Sequence, residues 1–215
     1  MGGPLRVDHD VTSGTFSLDG ETFDVDNNIW VVGDDDECVV IDAPHSVDDI
    51  LAVVAGRRVK AILLTHAHDD HCRVAPALRE AVNEGGGAPI FLHPDDRPLW
   101  ELVHGDADTG TYLWDLDLLD GWELPVAGTT VRTLHTPGHA PGGCCFQVEE
   151  LGCVFTGDTL FHGGPGATGR SYSDRPLLAS SIREKLFGLP DDTVVHTGHG
   201  EDTTIGAERA AAADW

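Results

Sequence analysis

The stretch THAHDDHCRVAP, Thr65 to Pro76, packs three histidines and two aspartates into the six residues from His66 to His71, directly after the apolar run VKAILL. A polar surface turn could hold such a cluster at little cost. The spacing argues for more. In extended chain, residues two apart point the same way, so His66 and His68 present their imidazoles to one point. Asp70 and His71 fall at the start of a helix and turn toward a second point. Two adjacent divalent ions are implied. One loop cannot satisfy both, because a zinc-like ion takes about four N, O or S ligands.

Working outward, the chain opens with strand-like runs, TFSLDGETFDVDNNIWVVG and ECVVIDAP, whose β-branched and aromatic residues are broken by Asp and Gly turns. SVDDILAVVAG reads as a helix opened by Ser46 and stopped by Gly56, VKAILLTH as a buried strand, and HCRVAPALREAVN as one further helix. APIFLHP is the next strand and DDRPLWELVHG is helical. WELPVAG, TTVRTLHTPG, GCCFQVEE and GCVFTGDTL form a second series of short strands. An amphipathic helix, RPLLASSIREKLFGL, a last strand in DTVVHTGHG and a terminal helix, TTIGAERAAAADW, complete the pattern of one expected domain over residues 1–215.

Every unusual polar cluster falls at a strand end: THAHDDH after VKAILL, TPGHAPG after TTVRTL, TGDTLF after GCVF, HTGHG after DTVV. Rigid strands hold their ends in register, so these loops are candidates for a shared site. His139 would join His66 and His68 in a three-histidine site. His199 would join Asp70 and His71, and Asp158, with two carboxylate oxygens, could bridge both ions. His135 and His196 sit inside strand patterns and are expected to make structural hydrogen bonds. Trp100, Trp114 and Trp122 read as core aromatics.

Composition limits the partners. With 37 acidic and 13 basic residues the formal net charge is −24, which repels phosphate backbones and disfavours nucleic acid. No apolar window approaches the roughly 18 to 20 residues that a membrane span requires. Five cysteines without a disulfide spacing, and no export signal, lead us to expect reduced thiols in the cytoplasm.

THAHDDH matches the HxHxDH motif of the metallo-β-lactamase superfamily, and His139, Asp158 and His199 follow in that family's order, so the chain resembles that superfamily over nearly its whole length. Asp42, ending ECVVID, stands where the family keeps an acidic residue beneath the metal site to orient ligands. TPGHAPGG, FTGDTLFHGG and HTGHG look most like glyoxalase II and its single-domain relatives. The resemblance implies an α/β fold, a four-layer αββα sandwich, with two divalent ions, zinc first and iron or manganese as substitutes. It also implies hydrolysis of a thioester of a small cellular thiol by a hydroxide bridging the ions, with Asp70 both ligand and catalytic residue. A bridging carboxylate without a cysteine ligand departs from the common antibiotic-hydrolysing lactamases.

Glyoxalase II proper carries a helical C-terminal domain that helps to bind glutathione, whereas only Gly200 to Trp215 follow the last ligand here. The loop LFHGGPGATGRSYSDR, Leu160 to Arg175, is then the expected holder of the substrate's polar tail. Arg170 and Arg175 could clamp a carboxylate of the thiol carrier, with Tyr172 donating to a carbonyl or stacking. Equally, these arginines could pair with surface acids. Alternative activities are lactone or ester hydrolysis, and persulfide oxidation at a single iron held by His66, His139 and Asp158. Metal binding without catalysis is the remaining alternative.

Overall fold

The computed structural model describes residues 2–105 and 114–212. The terminal helix was expected to run to Trp215, and its last three residues lie outside the described ones. The chain opens with a long antiparallel hairpin, β1 (Arg6–Leu18) and β2 (Glu21–Gly33), closed by Asp19 and Gly20 at φ 56° and 79°. Such left-handed pairs suit a two-residue hairpin turn because their twist matches that of the strands. β3 (Glu37–Ile41) adds antiparallel to β2. β4 (Arg58–Leu63), β5 (Ile90–Leu92) and β6 (Leu116–Asp117) extend the sheet in parallel through helical crossovers.

These crossovers contain α1 (Val47–Val54), α2 (Asp69–Cys72), α3 (Ala75–Ala81) and α4 (Arg97–His104). Ser46 caps α1 by accepting from Asp49 N–H, as its position suggests, and Ala55 followed by Gly56 ends it in the left-handed region. The single helix expected over HCRVAPALREAVN is instead two. α2 lasts one turn, Val74 leaves helical geometry at φ −101°, ψ 7°, and α3 restarts with Pro76 in its first turn, where a missing N–H costs nothing.

A second sheet has the spatial order β14-β13-β10-β9-β8-β7. Its strands are β7 (Glu123–Val126), β8 (Thr129–His135), β9 (Cys144–Val148), β10 (Cys153–Gly157), β13 (Val194–Thr197) and β14 (Thr203–Thr204). Between β10 and β13, β11 (Leu160–Phe161) and β12 (Gly164–Pro165) form a small hairpin. α5 (Arg175–Ser181) runs into a π-helical turn, Ile182–Leu186, and α6 (Ile205–Ala211) starts at a Thr204 cap.

Strand periodicity builds the layers, since alternate residues face opposite sides. Trp30, Val32 and Ile41 of the first sheet meet Val131, Phe146 and Phe155 of the second in a buried core between the sheets. Ile29, Val31 and Ile62 point the other way, toward Ile50, Leu78 and Trp100 of the helices. On the far side, Leu134, Val154 and Val195 pack on Leu178, Ile182 and Ile205. The expected four-layer αββα sandwich is therefore the observed architecture. Trp100 and Trp114 are core aromatics, edge to face at 6.1 Å, and Trp122 packs on Phe91. No helix among the described residues is long and apolar enough to cross a membrane.

Candidate metal centre

The four loops named from the sequence meet at one rim of the sandwich. The loop after β4 brings His66, His68, Asp70 and His71, that after β8 brings His139, that after β10 Asp158 and that after β13 His199. His66, His68 and His139 form one set of convergent ligand atoms, and Asp70, His71 and His199 a second. His66, His71 and Asp158 form a third set that links them. His66 Nε2 and His139 Nε2 each lie 3.0 Å from His68 Nδ1. On the other side His71 Nε2 is 3.2 Å from His199 Nε2, and Asp70 Oδ2 is 3.3 Å from the same atom.

Ring orientation is set from outside the cluster. His139 donates from Nδ1 to Ala167 O at 2.8 Å, His199 from Nδ1 to Asp26 O at 2.7 Å, and His71 from Nδ1 to Asp42 Oδ2 at 2.9 Å. Thr65 Oγ1 donates to Asp42 Oδ2, so its contact with His66 Nδ1 at 3.0 Å is one in which the imidazole donates. Four histidines thus aim Nε2 inward, while His68 aims Nδ1. Asp158 stands between the sets, with Oδ2 3.5 Å from His139 Nε2 and Oδ1 3.3 Å from His71 Nε2 and 3.5 Å from His199 Nε2. Gly198 makes room for it: a Cβ there would lie 2.5 Å from Asp158 Oδ1 and 2.8 Å from His71 Cε1.

Do these residues fit a pair of cations? Burial holds the His66 imidazole well below its usual pKa and His68 down to about 3, so both present neutral lone pairs. Three nitrogens converging at hydrogen-bond distance cannot be joined by their own protons, whereas one cation at their centre uses all three. The second set is acid-rich. Burial raises the carboxyl groups but is outweighed by His71 and His199, so Asp158 lies well below the carboxylate range and Asp70 is pushed down to about 2. His71 and His199 respond oppositely: burial lowers them, and the facing carboxylates prevail, most strongly at His71. That half of the site demands positive charge. Asp158 Oδ1, buried without a hydrogen-bond partner, points to the same need.

A profile of the metallo-beta-lactamase superfamily matches residues 22–199. The chain belongs to that superfamily. Among proteins of the superfamily, hydroxyacylglutathione hydrolase GloC of Haemophilus influenzae is 38% identical over 159 residues, covering 70% of this chain and 73% of that one. TTHA1623 in a di-iron-bound form superposes with a TM-score of 0.73 at 32% identity, over 93% of this chain and 98% of that one. The B3 metallo-beta-lactamase BLEG-1 gives a TM-score of 0.75 at 30% identity, over 93% and 97% of the two chains.

Asp42 makes the contacts that a residue beneath such a centre needs. It adopts φ 62°, a left-handed geometry that aspartate tolerates better than most residues, and accepts from Thr65 N–H at 2.7 Å, Thr65 Oγ1 at 2.8 Å and His71 Nδ1. Asp42→Ala is expected to weaken binding of the ion nearest His71 by about 10- to 100-fold, as loss of a carboxylate behind a metal histidine usually does. Competition with a metal-binding dye measures it.

Two contributors escaped the sequence reading. Asn27 donates from Nδ2 to Asp70 O and Asp70 Oδ2, and its Oδ1 lies 2.7 Å from His45 Nε2. Asp96 is fully buried; its Oδ2 accepts from Ala67 N–H at 2.8 Å and its Oδ1 from Gly142 N–H at 2.5 Å. It ties the loop of His66 and His68 to that of His139. Burial pushes the Asp96 carboxyl up to about 7 against these two bonds. Although it directly precedes α4, its side chain does not cap that helix. Removing it in Asp96→Ala leaves two buried N–H groups without partners, which is expected to cost about 3 kcal/mol and is read by denaturant unfolding.

The remaining expectations divide. Asp69 stays out of both ligand sets: it accepts from Ser17 N–H and pairs with Arg73. His196 pairs with Asp202 at 2.8 Å, and His135 contacts Pro141 O at 3.2 Å and also lies with His93 and Asp95 in a further group of convergent ligand atoms. Of the three candidate substrate residues only Arg170 reaches the cleft over the centre. Tyr172 is 46% exposed and lies outside the lining, and Arg175 turns to Gly166 O at 3.4 Å. The cleft encloses about 410 Å³, with His68, Asp70, His139, Asp158 and His199 on its floor. Phe16 and Val25 of the β1–β2 hairpin and Thr168, Arg170 and Ser171 of the loop after β12 also line it.

Proposed function

We propose that the protein is a two-metal hydrolase that cleaves thioesters of a low-molecular-weight thiol. The observation that carries this is Asp158, whose two oxygens face two separate sets of ligand atoms at the floor of one open cleft. In this reading His66, His68 and His139 hold one ion, Asp70, His71 and His199 the other, and Asp158 both, with Asp42 orienting His71. Bound there, a pair of divalent ions, zinc by preference, supplies Lewis-acid polarisation of the acyl carbonyl and acidifies water.

The protein's own residues do the rest. Asp70, held near 2, stays ionised through the neutral range and is a weak base. Its part is to hold charge and to orient water by accepting a hydrogen bond. Asn27 fixes that carboxylate from behind. No lysine or cysteine lines the cleft among the described residues, and Ser173 spends its hydroxyl proton on Arg170 O. A thiolate is a good leaving group and departs without a strong proton donor. The likeness to GloC supports the same substrate class.

A competing reading uses His66, His139 and Asp158 around one iron for persulfide oxidation, and TTHA1623 shows that a similar protein can carry iron. Assays on the purified protein with an acyl thioester, a persulfide under an oxygen electrode, and a β-lactam separate these activities. Thioester turnover without oxygen uptake supports the proposal. Oxygen uptake with persulfide, or β-lactam turnover alone, overturns it.

A further inference from the structure

Arg170 is the cation of the cleft lining, and its charge is already engaged. Its Nη1 lies 2.8 Å from Glu21 Oε2, and its guanidinium stacks 4.7 Å from the centre of the Phe23 ring and 5.9 Å from that of Phe16. Next to it, Ser171 N–H donates to Asp19 Oδ2 at 2.9 Å. These contacts join the tip of the β1–β2 hairpin to the loop after β12 across the mouth of the cleft. Asp26, from the same hairpin, meets the centre through its backbone oxygen, which accepts from His199, while its carboxylate accepts from Ser13 Oγ. The outer cleft therefore sets one cation, Arg170, against two carboxylates, Glu21 and Asp19. A substrate carboxylate there would have to displace Glu21 and would still face Asp19, within a chain of net charge −24. The other groups of the outer walls are apolar or neutral: Phe16, Val25, Ala167, Thr168 and Ser171.

Resting on the thioester reading above, we infer that the thiol carrier of this enzyme's substrate bears no carboxylate, being a neutral thiol with amide or hydroxyl groups and an apolar segment. The acyl carbon sits over the metal floor, the carrier's apolar part lies on Phe16 and Val25, and its neutral polar groups meet Thr168 and Ser171. The pairing of Arg170 with Glu21 is then a specificity device: it removes the one group that could recruit an acidic carrier and holds the hairpin wall in place. Of the two roles the sequence offers Arg170, a carboxylate clamp and a pairing with a surface acid, the contact seen is the second.

Two carriers that differ only in charge test this, N-acetylcysteine amide and N-acetylcysteine. Their S-hexyl thioethers, which cannot be hydrolysed, are titrated into the metal-loaded protein by calorimetry, and their S-acetyl thioesters are assayed for turnover. The neutral thioether is expected to bind at least tenfold more tightly. The gap should narrow with added salt, as screening weakens the repulsion, and in Glu21→Gln, which frees Arg170. Equal or tighter binding of the anionic thioether overturns the inference, as does a gap indifferent to both salt and Glu21→Gln. Turnover reports separately on the thioester reading: if neither ester is cleaved that reading fails, while the order of thioether binding still decides the nature of the carrier.

Discussion

Replacing Asp158 with alanine is expected to release or loosen both ions and to lower thioester turnover by about 10³-fold or more. The size follows from what is lost together. Asp158 presents one oxygen to each set of ligands, so its removal takes a donor from both and leaves Asp70 as the carboxylate facing His71 Nε2 and His199 Nε2. Lewis-acid assistance is worth several kcal/mol, and each 1.4 kcal/mol is about tenfold in rate. His196→Ala is the matched control. That ring packs 4.5 Å from Trp30 and pairs with Asp202, away from the cleft floor, so metal stoichiometry should be retained even though packing is lost. Elemental analysis of both variants after gel filtration reads the result. Equal metal loss in the two would show that the ligand set has been drawn around the wrong histidine.

Removing the metals from the unmodified protein is expected to have the second largest effect. Asp70, Asp158, His66 and His71 are brought together at the cleft floor, and binding energy spent on the folded state alone adds to stability. At a free ion concentration of about 1,000 times Kd this linkage is about 4 kcal/mol, which for a chain of this size lowers Tm by about 8 to 16 °C on chelation. Thermal melts with and without chelator, followed by readdition of zinc, check it. An unchanged Tm would mean that the donors are satisfied without cations.

The convergence of the candidate ligands was legible in the sequence because a chelating site would demand fixed residue types at fixed spacings. His66, His68, Asp70 and His71 share one loop, and the other three donors each follow a strand whose apolar alternation marks where it ends. The layers entered with the family resemblance: Ile29, Trp30, Val31 and Val32 are all apolar, so their pattern does not say which face of the sheet each takes. Asp96 was not legible, because its partners are the backbone N–H groups of Ala67 and Gly142, which carry no residue-type signal and are distant in sequence. Asn27 was hidden in a strand run for a similar reason. The break between α2 and α3 at Val74 also escaped the helical periodicity: tertiary bonds from Ala43 N–H to His71 O and from Val74 N–H to Ala43 O hold α2 against the end of β3, and local propensity cannot report these. Which acid pairs with Arg170 was not legible, because Glu21 lies 149 residues away in the chain.

Metal content per chain, measured on the same preparation as thioester turnover while zinc is titrated into chelator-treated protein, tests the two-metal hydrolase most directly. Turnover that rises with occupancy and saturates at two ions per chain is the expected result. Saturation at one ion, with iron restoring oxygen uptake on a persulfide and zinc restoring no thioester turnover, would contradict it.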